Sequence, residues 1–155
     1  MRWRDYPIGW CFARQDRYRA TGTTGLMPFP TDLRHFQASE FKFPDAMDTA
    51  FLRWLDRVRE EAGVPMVITD DARPAGVMPE GASKTSLHFR GRAVDVRSRD
   101  WSATQKWDLA AAIFTLAEEA PGKVEFEQVY SATDRHWHIG VDDKAQNPQL
   151  IESDE

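Results

Sequence analysis

His88, Asp95, His136 and His138 are the residues of this 155-residue chain whose types and spacing could do chemistry together. Neutral imidazole and carboxylate make a ligand set that suits zinc. His88 precedes Gly91, where the chain can turn tightly, and Asp95 stands three residues into the strand expected after it. Both side chains can therefore return to one point. His136 and His138 are two apart, which on a strand puts them on one face with Trp137 opposite. Two histidines and one aspartate leave a fourth tetrahedral position for water, the pattern of a catalytic site and not of a closed structural one. An aspartate amid Ala93, Val94 and Val96 is costly to bury unless paired or coordinated, and Arg92 and Arg97 are the pairing alternatives within its own strand.

The elements that must position these residues follow from periodicity and punctuation. From Pro44 the pattern is helical, with Met47, Phe51, Leu55, Val58 and Ala62 on one stripe and Gly63 where a C-terminal cap belongs. Val64 to Thr69 is short and β-branched and reads as a buried strand. Pro74, Gly76, Pro79 and Gly81 make residues 70–85 a long loop, of a length that is usually functional. Arg92 to Arg97 alternates, with Val94 and Val96 on one face and Ala93, Asp95 and Arg97 on the other. Ser102 and Gln105 form a capping box that opens a second helix, its stripe expected at Lys106, Ala110, Ile113, Phe114 and Ala117, and Pro121-Gly122 stops it. Val124–Tyr130 and His136–Val141 read as two further strands joined by Ser131 to Arg135.

Composition narrows the function classes. Hydrophobic residues are 41% and charged residues 29%, an ordinary globular balance, and no apolar run approaches the roughly 18 residues a membrane span requires. The net charge of −5 argues against nucleic acid as the main partner. Cys11 is the single cysteine, so neither an internal disulfide nor a cysteine-rich zinc site can form, as expected of a chain made in a reducing compartment. No apolar segment follows the first charges, so no signal peptide is visible and synthesis in the cytoplasm is expected. Residues 1–35 read as an irregular arm in which Arg2, Arg4, Arg14, Arg17 and Arg19 alternate with Trp3, Tyr6, Trp10, Phe12 and Tyr18. Basic residues interleaved with aromatics could contact a polyanion or another protein, but the aromatics are expected to pack the arm onto the domain, since most of the six tryptophans must be buried. Residues 36–142 form the domain, and residues 143–155 an acidic, frayed tail.

Ser86-Leu87-His88-Phe89-Arg90-Gly91-Arg92-Ala93-Val94-Asp95, followed about forty residues later by His136-Trp137-His138, resembles the signature of the zinc D-alanyl-D-alanine carboxypeptidase family. That family includes phage L-alanyl-D-glutamate endopeptidases and, as a relative, the hedgehog signalling domain. Upstream, His35 to Phe41, the helix around Leu55–Glu60 and Val67–Arg73 are similar to the phage-type members, so the likeness covers roughly residues 33–142. It implies an α+β fold: a small antiparallel sheet with the zinc site on one face and two main helices on the other. It also implies Zn2+ held by His88, Asp95 and His138. Arg73 matches the arginine that receives a substrate carboxylate, Ser86 the serine lining that pocket, and His136 a histidine near the reacting centre.

One departure concerns the proton acceptor. Many family members carry an acidic residue three positions before the last ligand, where this chain has Arg135; the hedgehog relative carries one six before, where this chain has Ala132. Asp134 is the nearest carboxylate, and it and His136 are the candidates for that role. The expected function is thus a zinc metallopeptidase acting on amide bonds of peptidoglycan stem peptides, as carboxypeptidase or endopeptidase, reaching the wall on release or within a phage particle. The competing expectation is a non-catalytic zinc-fold protein, such as a virion component attached through residues 1–35.

Overall fold

A computed structural model describes residues 28–74, 86–130 and 134–142. Two helices, α1 (Thr49–Ala62) and α2 (Ala103–Leu116), pack on one face of a four-stranded antiparallel sheet. Its strands are β1 (Ile68–Asp70), β2 (Ala93–Arg97), β3 (Lys123–Tyr130) and β4 (Arg135–Asp142), in the order β1-β2-β4-β3. This is the α+β architecture expected from the sequence.

Each helix is bounded by the residues its sequence supplies. Asp48 caps α1 by accepting the Phe51 N–H at 2.8 Å, and Gly63, in the left-handed conformation, ends it. The Pro44–Ala46 segment, expected to belong to this helix, is a separate 3-10 turn, because the chain must be extended at Met47 and Asp48 to form the cap. At α2 the Ser102–Gln105 capping box is present in both directions. Phe51, Leu52, Leu55 and Val58 of α1 meet Leu109, Ile113 and Leu116 of α2, and the Trp54 indole N–H donates to the Leu116 carbonyl at 2.9 Å. Beneath them lie Val94, Val96, Trp137, Ile139 and Val141 of the sheet, each such side chain contributing roughly 1.5–3 kcal/mol through burial.

Two expectations about faces are corrected. In α2 the buried stripe is Leu109, Ala112, Ile113 and Leu116, whereas Phe114 is 74% exposed and Trp107 is 76% exposed. Both sides of this helix are apolar, so periodicity alone could not choose between them, and packing on α1 decides. The strand expected over Val64–Thr69 is confined to Ile68–Asp70. Pro65 has no N–H to give a ladder, and its carbonyl accepts instead from the Trp101 indole at 2.8 Å. Val64 and Met66 are buried all the same, while Val67 faces out.

Candidate metal centre

The sheet face turned away from the helices gathers the candidate residues, and register explains why. Asp95 of β2 stands directly opposite His138 of β4, so their side chains share a face. Asp70 of β1 stands opposite Asp95, and Glu127 of β3 opposite His138. One row therefore crosses all four strands as Asp70, Asp95, His138 and Glu127. Asp70 joins it only because the pairing slips by one residue between Ile68 and Asp70. That bulge turns Ile68 to the core and Asp70, two residues on, to the opposite side.

His88 arrives from a different element. It lies in a 3-10 turn, Leu87–Arg90, closed by Gly91 at φ 65°, whose N–H donates to the His88 carbonyl at 3.2 Å. Only glycine fits there. Besides the left-handed backbone, a Cβ would collide with the Ala46 carbonyl oxygen and come within 2.8 Å of Met47 Cα. The turn holds the buried His88 ring with Nδ1 2.7 Å from the Asp71 carbonyl oxygen. A carbonyl can only accept, so Nδ1 carries a proton and donates to it, while Nε2 lies 3.4 Å from Asp95 Oδ1 and donates to that oxygen when the ring is protonated.

His138 Nδ1 reaches the same oxygen, Asp95 Oδ1, at 3.0 Å, with its ring 5.1 Å from that of His88. His136 Nε2 lies 3.8 Å from Asp95 Oδ2, and its Nδ1 is 3.0 Å from the carboxylate of Asp134. Burial would by itself raise the pKa of Asp95, but hydrogen bonds from His138 and His88 and the charges of His88 and His136 outweigh it. They hold the carboxyl far below the usual carboxylate range. Burial likewise opposes charge on His88, yet the hydrogen bond and charge of Asp95 prevail and its pKa is raised. Neither Arg92 nor Arg97 neutralises Asp95. Arg92 faces Asp48 at 3.6 Å and Arg97 faces Asp100 at 3.1 Å.

The donor set fits a metal ion. Ligand atoms of His88, Asp95 and His138 all lie within 4.8 Å of one another. Ligands 2.0–2.1 Å from a tetrahedral zinc are about 3.3 Å apart, close to the 3.0 and 3.4 Å separations seen here. The Asp71 carbonyl supplies the second-layer contact that metal-bound imidazoles use to fix their tautomer.

The other residues singled out in the sequence lie around this cluster. The Arg73 N–H donates to the His88 carbonyl at 2.9 Å, and its guanidinium is paired with Asp70. Ser86 opens the 3-10 turn, accepting the Phe89 N–H on its carbonyl at 3.1 Å. Of the 70–85 loop, residues 75–85 lie outside the described residues, as do Ala132, most of the arm (1–27) and the tail (143–155). Within the rest of the arm, Phe29 packs on Phe41 with ring centroids 5.4 Å apart. The backbone N–H groups of Arg34, His35 and Phe36 all donate to the buried Asp56 carboxylate at 2.9–3.0 Å.

The sequence reading missed Asp70, Asp71 and Glu127. Asp70 and Asp71 look like turn formers after a strand, although the three-residue spacing of Asp70 and Arg73 is a pairing signal. Asp71 is fully buried, with one carboxylate oxygen accepting the Lys42 N–H and the other without a partner, and burial raises its pKa. Glu127 is visible only once β3 is in register.

The family model described as Peptidase M15 matches residues 31–140. Among solved structures, the crystal structure of Serratia marcescens L-Ala D-Glu endopeptidase ChiX is similar at 18% identity and a TM-score of 0.48, covering 72% of this chain and 94% of that one. No curated protein matches. With the matched segment spanning both helices, β1 to β3, all but the last two residues of β4 and the His88–Asp95–His138 cluster, the chain belongs to the peptidase M15 family.

Proposed function

We propose that this chain is a zinc metallopeptidase that hydrolyses amide bonds in peptidoglycan stem peptides. The observation that carries the reading is the convergence of two imidazole nitrogens on one carboxylate oxygen, with a histidine–aspartate pair beside them. His88, Asp95 and His138 hold the ion. Bound there, zinc supplies Lewis-acid polarisation of a carbonyl and acidifies a water toward a pKa of ~7.

The chain's own residues do the rest. Asp134 accepts the Nδ1 proton of His136, which leaves Nε2 as the basic atom on the side facing Asp95. His136 can therefore take a proton at Nε2 from the attacking water and return it to the leaving amine. Asp134 holds the ring in that tautomer and stabilises its charged form. Arg73 receives a substrate carboxylate, with Ser86 lining the same subsite. A guanidinium offers this contact as a two-point fork that lysine does not reproduce.

No helix among the described residues is long and apolar enough to cross a membrane. The test is incubation of the zinc-loaded protein with purified peptidoglycan, products resolved by mass, beside His88→Ala and Asp134→Ala. New stem-peptide fragments from the parent, absent with His88→Ala and reduced about 10- to 100-fold with Asp134→Ala, are expected. One zinc per chain without any fragments would replace this reading by the non-catalytic one, in which the fold serves binding or assembly.

A further inference from the structure

Asp70 and Arg73 form an ion pair inside the site. Arg73 Nε is 3.1 Å from Asp70 Oδ2, and Nη2 donates to that same oxygen. The other Asp70 oxygen faces the Lys42 ammonium at 3.7 Å. Lys42 is itself tied to the end of β1, through Nζ to the Thr69 carbonyl at 2.7 Å and through its N–H to the Asp71 carboxylate. An internal carboxylate next to a receptor arginine could act in two ways: it could fill the place of the substrate carboxylate, or it could orient the guanidinium.

The contacts decide for orientation. A guanidinium is a planar fork of five N–H donors, and Asp70 engages one edge of it, Nε with one Nη2 hydrogen. The opposite edge, Nη1 with the second Nη2 hydrogen, is not engaged by Asp70, and it too offers two parallel donors to a carboxylate. Lys42, Asp70 and Arg73 together carry one net positive charge, which a single carboxylate neutralises. The bulge at Thr69 that brings Asp70 onto the row with Asp95 and His138 is what makes the clamp possible.

We infer that Asp70 is a positioning residue, clamping Arg73 by its Nε edge so that the Nη1 edge binds one carboxylate of the substrate. This rests on the reading of Arg73 as the carboxylate receptor.

The test compares zinc-loaded parent, Asp70→Ala and Asp70→Asn on synthetic stem peptides with free carboxylates and on the same peptides fully amidated. Where a protein turns the peptide over, KM and kcat are read; where it does not, a calorimetric Kd takes the place of KM. Asp70→Ala is expected to weaken the free-acid peptide about tenfold while leaving the amidated one and kcat within about twofold. Asp70→Asn, which keeps an acceptor for Nε and the side-chain shape, is expected to lose less, and it carries the test if the alanine variant does not fold. Unchanged or tighter binding of the free-acid peptide by a folded, zinc-loaded variant would overturn the inference. So would a parent protein that binds acid and amide equally. Acid-selective binding that depends on Asp70, without turnover in any protein, would uphold the clamp and remove the peptidase reading.

Discussion

The two faces of the sheet are built from alternate residues of the same strands, yet they obey different rules. On β2, Val94 and Val96 point to the helices while Asp95 points away, and on β4 Trp137, Ile139 and Val141 alternate with His136 and His138. The helix face needs only apolar volume, because close packing rewards any shape that fills the space. The site face needs particular atoms at particular distances: two nitrogens on Asp95 Oδ1, a carbonyl on His88, a carboxylate on His136. Packing on one face is therefore forgiving and cooperative, whereas the other depends on single contacts.

That contrast can be broken at four points, and the largest effect belongs to the site face. His88→Ala and Asp95→Ala are expected to remove bound zinc, read by elemental analysis, and to lower turnover by about 1000-fold, the equivalent of about 4 kcal/mol. Full zinc occupancy in either variant would show that the two faces do not divide the labour in this way. On the helix face, Ile139→Ala is expected to cost about 2–5 kcal/mol of stability by denaturant titration while the folded protein still binds one zinc. Loss of zinc at matched folding would show that the core also tunes the site.

Acidity sharpens the comparison, since titrating groups with shifted pKa values gather on the site face. His88 has its pKa raised, so the stabilisation from its contact with Asp95 is complete below the unfolded histidine value of ~6.5 and is lost as pH rises through the folded value. Asp95 is depressed, so its share is present above ~3.9 and disappears only in strong acid. Zinc needs unprotonated imidazole, so the rise in Tm on adding zinc should be larger at about pH 7.5 than at about pH 5.5. A shift that shrinks toward higher pH would exclude His88 as a ligand. The smallest effect is expected outside both faces: Trp107→Ser and Phe114→Ser should change stability by no more than about 0.5 kcal/mol, because these side chains are mostly exposed. A larger loss by thermal melting would mean that this side of α2 is covered.

Much of this arrangement was legible from residue order. The capping box at Ser102–Gln105, the cap at Gly63, the turn at Gly91 and the alternation of Asp95, His136 and His138 with apolar neighbours all rest on local geometry. They were readable because a turn or a strand period involves only a few adjacent residues. The buried side of α2 was not readable, since Phe114 and Leu116 are equally apolar and only contact with α1 separates them. The length of the first strand is not legible locally for a similar reason: Pro65 shortens the ladder, but the tertiary core still buries Val64 and Met66.

The sequence by itself determined which residue types are available and which of them share a face, because side-chain direction follows backbone period. It also determined that the chain can turn back at Gly91, since glycine has no Cβ to penalise the left-handed backbone. Strand order and register lay beyond it. Placing β4 between β2 and β3 sets His138 between Asp95 and Glu127, and a one-residue slip at Thr69 carries Asp70 across to Arg73. Those pairings join residues far apart in the chain. They are decided by which register buries the apolar face, a property of the whole fold that no local pattern contains.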